Sequence, residues 1–184
     1  DYNSSYGNVI SPRINYKWSP NNENSIRIST GRGYRVVNLF SEDHAAITGA
    51  RDVVLKGDLD PETSYNANLN YQRFINTQFG FIDFDATVFY TYFNNKITPD
   101  YETNPEQIIY ENIDGYAVSQ GVSFDLNINF SVPLNIKLGA TFMDVFEMNE
   151  DENGTLKQEE QLLTENFSGT FGVSYKFRKP NITV

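Results

Sequence analysis

Residues 81–93 are FIDFDATVFYTYF, and apolar and polar side chains alternate along most of this stretch. One parity is apolar throughout: Ile82, Phe84, Ala86, Val88, Tyr90 and Tyr92. The other parity carries the polar residues Asp83, Asp85, Thr87 and Thr91. Because successive side chains of a β-strand point to opposite faces, this period of two predicts a strand with one apolar and one polar face.

The same alternation recurs along the chain, for example in GVSFDLNINF at 121–130 and NFSGTFGVSYKF at 166–177. It predicts seven strands, which span 11–18, 25–31, 62–74, 81–97, 108–130, 134–147 and 166–177. The predicted fold class is therefore all-β, an antiparallel up-and-down meander of about seven long strands.

The connections between these strands alternate between short and long. The short ones are SPNNEN at 19–24, INTQFG at 75–80 and SVP at 131–133, and the long ones span 32–61, 98–107 and 148–165. In a meander, this order places every short turn at one end of the sheet and every long loop at the other. Barrels of bacterial outer membranes have this asymmetry, and several strands exceed the roughly ten residues that cross a bilayer when tilted.

A soluble β-sandwich is the alternative, because half-buried antiparallel strands also alternate. Sandwich strands usually have only about five to six residues, so strand length and loop asymmetry together favour part of a transmembrane β-barrel. A soluble all-β binding module of a cell-surface protein is the second interpretation. A small complete barrel is the third, and the odd number of strands disfavours it.

Composition excludes several function classes. The 184 residues include no cysteine, which excludes disulfides and thiolate chemistry, and the formal charge of −10 disfavours nucleic acid as a partner. The one histidine, His44, is not accompanied by a nucleophile-elbow motif. Asp83 and Asp85 lie on a face that is polar along its length, which favours a hydrated wall over a hydrolase pair. We therefore predict that the protein is not an enzyme.

Three stretches resemble TonB-dependent outer-membrane receptors, particularly those of the Bacteroidota. They are SPRINYKWSPNNENSIRISTGRGYRVVNLFSED at 11–43, LDPETSYNANLNY at 59–71 and YENIDGYAVSQGVSFDLNINF at 110–130. In the third stretch Ser123 stands where the family usually has Glu. The three stretches occur in the family's order, and the resemblance covers nearly the whole chain.

This resemblance implies a barrel of 22 strands with a plug domain in its lumen. Residues 1–184 are expected to be a partial barrel domain, an internal segment without the plug. The implied function is import of a scarce nutrient across the outer membrane of a Gram-negative bacterium: a siderophore, cobalamin, metal chelate or glycan. The implied partners are outer-membrane lipid, the protein's own plug domain, the TonB complex and a small-molecule ligand.

The stretch GRGYR at 31–35 carries two arginines at the predicted end of a strand. By analogy with the family, Arg32 and Arg35 are expected to contact carboxylates of the plug or the barrel wall, for example Glu62, since arginine pairs bidentately with carboxylates. The simpler alternative is local pairing with Glu42, Asp43 or Asp60. Candidate substrate-binding residues in the loops are Tyr34, Arg35, His44 and Tyr101, with Glu150 and Asp151 as further loop positions. For His44, an exposed loop residue without a ligand is the alternative.

One acidic stretch has the spacing of a calcium-binding loop. In NEDENGTLKQEE at 149–160, oxygen-bearing residues occupy the ligand positions of an EF-hand loop: Asn149, Asp151, Asn153, Thr155 and Glu160. The first position is not the usual Asp, and strands rather than helices flank the stretch. Calcium is therefore the one cofactor considered, and a solvated acidic loop is the alternative.

Overall fold

The structure is a computed structural model that describes residues 2–3, 7–8, 10–35, 51–57, 59–100, 103–150, 155–161, 164–177 and 182–183. Within these ranges it contains fourteen strands and no helix. The strands are β1 (Tyr2–Asn3), β2 (Gly7–Asn8), β3 (Arg13–Trp18), β4 (Asn24–Arg35), β5 (Asp52–Leu55), β6 (Glu62–Thr77), β7 (Gly80–Asn94), β8 (Ile97–Asp100), β9 (Gln107–Asn112), β10 (Gly115–Phe130), β11 (Leu134–Glu150), β12 (Leu156–Glu160), β13 (Phe167–Phe177) and β14 (Ile182–Thr183). No helix in the described ranges is long and apolar enough to cross a membrane.

The predicted seven-stranded meander is confirmed. Each of its strands pairs antiparallel with the next, in the order β3, β4, β6, β7, β10, β11 and β13. We call these seven strands the wall. Strand β12 pairs with the end of β11, β14 pairs with β13, and β1 pairs with β2.

Several predicted strand boundaries differ from those observed. GRGYR continues β4 to Arg35, because this stretch pairs with β6 as far as Arg35 opposite Glu62. Gly33 pairs with Ser64 in this ladder, and a Cβ atom at Gly33 would lie 2.4 Å from Oγ of Ser64, so any larger residue would require that side chain to move. The predicted strand 108–130 is two strands, β9 and β10, separated at Ile113 and Asp114.

The predicted strand 81–97 ends at Asn94, where β7 ends. Asn95 has a φ of 55°, a left-handed conformation that Asn tolerates better than most residues, and it turns the chain out of the wall. Three short strands in the long connections form a separate sheet, which we call the crown sheet. In it β5 pairs parallel with β9, and β8 pairs antiparallel with β9.

The register gives the wall one apolar and one polar face. Ile28, Leu69, Val88, Val122 and Phe142 align in one row on the apolar face. Most exposed large apolar side chains of the described residues lie on this face: Ile14, Tyr16, Trp18, Ile28, Tyr65, Leu69, Val88, Tyr90, Phe124, Leu138, Phe142, Phe167, Phe171, Val173, Tyr175 and Phe177. Such a continuous exposed apolar surface is typical of a sheet that faces lipid.

Hydrogen bonds between side chains cross the strands of the polar face. The Nδ2 atom of Asn70 donates to Oδ1 of Asp85 at 2.6 Å and to Oγ1 of Thr87 at 2.9 Å. Nδ2 of Asn135 donates to Oδ1 of Asn127 at 2.6 Å and to Oδ1 of Asn129 at 2.7 Å. This face is therefore a network of polar side chains that suits a hydrated interior.

The apolar band runs obliquely across the wall. On β6 it extends from Tyr65 to Tyr71 and ends before Arg73, whereas on β11 it extends from Leu134 to Phe142. The register places Leu138, the centre of the β11 run, level with Arg73. The centre therefore shifts by five residues over three strand spacings. At about 3.3 Å per residue and about 4.8 Å per spacing this is a strand tilt of roughly 50°, slightly above the range of about 35–45° in transmembrane barrels.

Candidate functional site

The crown sheet has a small core of its own at the long-loop end of the wall. Ile97, Ile108 and Tyr110 are buried together, and Val53 and Leu59 pack against them. The sheet joins the two long connections 36–61 and 95–114, because β5 comes from the first, and β8 and β9 come from the second. The described parts of the two connections therefore form one structural unit.

Glu62 fastens this unit to the wall. Its carboxylate accepts a hydrogen bond from the backbone N–H of Ile97 at 2.9 Å, and its Oε2 atom lies 3.2 Å from Nε of Arg35. Glu62 is buried, with 7% of its surface exposed. A buried carboxylate is costly without partners. Glu62 therefore joins the end of β4, through Arg35, to the start of β8, through Ile97.

A second carboxylate, that of Glu147, pairs with Lys96, the residue before Ile97. Nζ of Lys96 lies 2.6 Å from Oε1 of Glu147 on β11 and donates to Oε1 of Gln161 at 3.1 Å. The side chains of both Lys96 and Glu147 are largely buried, at 17% and 13% exposure. Two consecutive residues of the segment that leaves β7 are therefore anchored to different strands. Lys96 is held by Glu147 on β11, and Ile97 is held by Glu62 on β6.

Asn112 links the same segment to the first long connection. Its Nδ2 atom donates to the carbonyl oxygens of Asp60 and Asn95, and its Oδ1 atom accepts from the N–H of Asp60 at 2.8 Å. At the rim, Lys56 pairs with Glu111 at 2.5 Å. The hydrogen bond and the negative charge of Glu111 raise the pKa of Lys56 above its ordinary 10.5.

A polar cavity of about 430 Å³ lies beside the crown sheet where β7 ends and β10 begins. Its lining residues are Asn95, Ile113, Asp114, Gly115 and Glu150. Its volume is within the range of small-molecule pockets, but its lining is more polar than is usual for them. In the described residues, no group of three or more acidic or histidine side chains is arranged to hold a metal ion.

The structure separates the two arginines of GRGYR. Arg35 lies on the polar face with Glu62, whereas Arg32 lies on the apolar face, with its Cζ atom 5.8 Å from the centre of the Tyr65 ring. Tyr34 shares the face of Arg32, because it pairs with Thr63 in the same register. Arg32 and Glu62 therefore do not meet. His44 and Tyr101 lie outside the described residues.

The described part of the predicted calcium loop is a hairpin of β11 and β12. Asn149 pairs with Lys157, and its Nδ2 atom donates to Oε2 of Glu159 at 3.3 Å. Glu160 pairs with Phe146 instead, which places it on the opposite face from Asn149. The first and last predicted ligands therefore start from opposite faces of this hairpin. Thr155 precedes β12, and Asp151 and Asn153 lie outside the described residues, so calcium binding stays a prediction.

Sequence reasoning missed Lys96, Glu147 and Asn112. Lys96 and Glu147 are 51 residues apart, so no local spacing connects them. A local signal was present, because the apolar alternation stops after Asn94. Lys96 follows Asn95, and asparagine favours turns. Glu62, in contrast, was predicted as a wall carboxylate by analogy with the family.

Comparison with known proteins gives consistent results for the whole chain. Residues 1–182 match the family model described as TonB dependent receptor-like, beta-barrel. A search of curated proteins found no match. Similar solved structures include the FrpB iron transporter of Neisseria meningitidis (F5-1 variant), with a TM-score of 0.67 and 16% identity over 94% of this chain and 26% of that chain.

Two structures from Pseudomonas aeruginosa are also similar. The ferripyoverdine receptor bound to ferripyoverdine has a TM-score of 0.60 and 14% identity, over 91% of this chain and 20% of that chain. The siderophore receptor PirA has a TM-score of 0.60 and 20% identity, over 95% of this chain and 34% of that chain. The chain thus spans about a quarter to a third of the length of the FrpB and PirA structures and less of the ferripyoverdine receptor.

Proposed function

Since the chain belongs to the TonB-dependent receptor family through its β-barrel domain, we propose that it forms part of the barrel wall of a nutrient importer. Proteins of this family are receptors and transporters of the Gram-negative outer membrane, not enzymes. The proposed role of this segment is to provide a lipid-facing wall, a polar inner face and a loop unit that takes part in binding the nutrient. The closer kinship with receptors of the Bacteroidota is part of this proposal.

The division of the wall into two faces is the observation that carries the proposal. Phe171, in the middle of β13, is 74% exposed on the apolar face, while Asn70, Asp85 and Thr87 form hydrogen bonds on the polar face. A soluble binding module would bury Phe171 in its core, whereas a wall would expose it to lipid. The oblique course of the apolar band, at roughly 50°, supports the same interpretation.

An iron chelate is the proposed nutrient, ahead of cobalamin, other metal chelates and glycans. The support is that the similar structures are described as an iron transporter, a ferripyoverdine receptor and a siderophore receptor. The proposed contact region is the long-loop end, with Tyr34, Arg35, His44 and Tyr101 as candidate residues. Arg35 is the best placed of the described candidates, because Glu62 orients it beside the crown sheet.

The proposed partners are a plug domain against the polar face and the TonB complex that acts on that plug. In a full-length receptor, residues 1–184 would then be one section of a larger barrel. The hydrogen-bonded amides and carboxylates of the polar face suit contact with a hydrated polypeptide surface.

Uptake by cells tests the proposal. The gene for the full-length protein is deleted, and the cells are given ⁵⁵Fe complexed with each of several siderophores, ⁵⁷Co-cobalamin, or a labelled oligosaccharide. We expect loss of uptake for at least one ferric siderophore and restoration by the intact gene. Restoration of only cobalamin or oligosaccharide uptake would contradict the proposed nutrient, and loss of none would contradict the importer role.

A further inference from the structure

The crown sheet has two edges, formed by β5 and β8, because β9 lies between these two strands. On an edge strand, every second residue directs its backbone N–H and C=O away from the sheet. Such groups can pair with the backbone of another molecule unless the edge is protected. The two edges of the crown sheet differ in this respect.

The β8 edge offers no free N–H to a further strand. The carbonyl of Lys96 accepts from the N–H of Ile113, which fixes the alternation of this antiparallel pair. Ile97 and Pro99 are therefore the residues of β8 that face the free edge. The N–H of Ile97 donates to Glu62, and proline has no N–H.

The β5 edge is open. The N–H groups of Asp52 and Lys56 donate to carbonyl oxygens of the β9 segment, both at 3.0 Å. By the alternation of the ladder, the N–H and C=O groups of Val53 and Leu55 point to the free edge. None of the described strands pairs with this edge.

The sequence of β5 carries few of the features that protect edge strands. Its four residues, DVVL, contain no proline, and the only charge is at the first position. Leu55 is 51% exposed, so the edge is accessible at this point. Val53 packs against the buried core of the crown sheet, which holds the edge in a fixed position.

The length of β5 indicates the size of the occupant. At about 3.3 Å per residue, four residues span about 13 Å, which fits a peptide of about four residues. The strand of a partner protein usually has about five to six residues. A short extended peptide is therefore the better match for this edge.

We propose that β5 binds the nutrient by strand addition, and that the imported iron chelate has a linear peptide backbone. This inference rests on the proposed function, because it takes the long-loop end as the nutrient-binding region. Val53 and Leu55 offer two N–H donors and two C=O acceptors to such a backbone. In strand addition these main-chain hydrogen bonds provide affinity for the peptide backbone itself.

Titration calorimetry of the full-length protein in detergent tests this site with two ferric probes. One is a linear pentapeptide with three hydroxamate side chains, and the other is the same peptide with its backbone amides methylated. Methylation keeps the charge and the iron ligands but removes the N–H donors. We expect the methylated probe to bind at least about fivefold more weakly, the effect of one lost main-chain hydrogen bond.

Two variants of Leu55 separate its backbone from its side chain. Leu55→Pro removes an N–H at the free edge and should weaken binding of the unmethylated probe about fivefold. Leu55→Ala, the matched control, keeps this N–H and should change binding less than twofold. Slow hydrogen exchange in β9 checks that the crown sheet of each variant is folded. The methylated probe tests strand addition in the unmodified protein as well, whatever the fold of Leu55→Pro.

Hydrogen exchange also reports directly on the edge. The N–H groups of Val53 and Leu55 should exchange fast in the protein without a probe and slowly with the unmethylated probe. Slow exchange without a probe would overturn the proposal, because another segment of the full-length protein or a second copy would then cover the edge. Equal affinity for the two probes would overturn it as well.

The uptake experiment separates this proposal from the proposed function. Loss of no ferric siderophore on deletion of the gene would contradict the importer role, and strand addition with it. Uptake of a ferric siderophore, together with equal binding of the methylated and unmethylated probes, would contradict strand addition alone.

Discussion

Phe171 on the wall is 74% exposed, whereas Ile108 in the crown sheet is 1% exposed. Both are large apolar residues in strands of the same chain. On the wall, paired strands satisfy the backbone while the apolar side chains point outward along one face. In the crown sheet, apolar side chains from three strands and an adjoining segment pack on one another.

The contrast shows that the two regions obtain their stability from different surroundings. The apolar face of the wall gains little from burial within the described residues and needs lipid to remove it from water. The crown sheet already buries its core, and the charged groups of Glu62 and Glu147 fix it to the wall. A substitution should therefore act through the bilayer in one region and through internal contacts in the other.

The largest expected effect is that of a charge placed on the apolar face. Val88 is 51% exposed, so Val88→Arg would cost little if this face were in water. In a bilayer, arginine at mid-depth on the lipid face destabilises a barrel by about 2–4 kcal/mol. We expect a loss of this size in urea unfolding of the full-length protein in lipid vesicles.

Ser123→Arg is the control for Val88→Arg. Ser123 pairs with Thr87, the neighbour of Val88, but lies on the polar face. We expect its effect on the free energy of unfolding to be much smaller. Equal effects of the two variants would contradict the assignment of the faces and would favour the soluble module.

The wall was predictable from the sequence because its signal is local. Each strand shows its two faces within a few residues, as in 81–93, and the turns between hairpins are short enough to fix the order. Strand ends were less predictable: the prediction ended this strand at Gly31, whereas pairing with β6 continues to Arg35. The partner strand, not the local sequence, determines where β4 ends.

The crown sheet was not predictable in the same way. Its strands β5 and β8 have only four residues each, and β5 pairs parallel with β9 from a different connection. Of the candidate residues, Glu62 was named by analogy with the family as an example of a wall carboxylate for Arg35, beside the alternative of local pairing. Arg32 was grouped with them, and only the register shows that it lies on the other face.

A smaller effect, confined to the crown sheet, is expected from Glu62→Ala. This change leaves the buried N–H of Ile97 without an acceptor, at a cost of about 1–3 kcal/mol. We expect faster hydrogen exchange at Ile97 and in β8 and β9, with unchanged exchange in the centre of β10. Glu62→Gln should have an intermediate effect, because its amide oxygen still accepts from Ile97 while the charge opposite Arg35 is lost.

Glu111→Gln serves as the control for the Glu62 variants, because Glu111 pairs with Lys56 at the rim of the crown sheet. Its effect on exchange at Ile97 should be negligible. If Glu62→Ala accelerated exchange equally in the wall and the crown sheet, the two regions would not be stabilised separately.

The smallest expected effect is the pH dependence of the Lys56–Glu111 pair. Glu111 raises the pKa of Lys56 in the folded protein above 10.5. The Lys56–Glu111 pair therefore contributes its full stabilisation below pH 10.5. This stabilisation should be lost only as the pH rises through the raised pKa, because the ammonium group then loses its proton.

Hydrogen exchange of the N–H of Lys56, which bonds to the carbonyl of Tyr110, reports on this rim. After correction for intrinsic rates, Glu111→Gln should differ slightly from the unmodified protein at neutral pH and low salt, and less at high salt, since exposed pairs are screened. A difference that grew above pH 10.5 would show that some group other than Lys56 stabilises this rim.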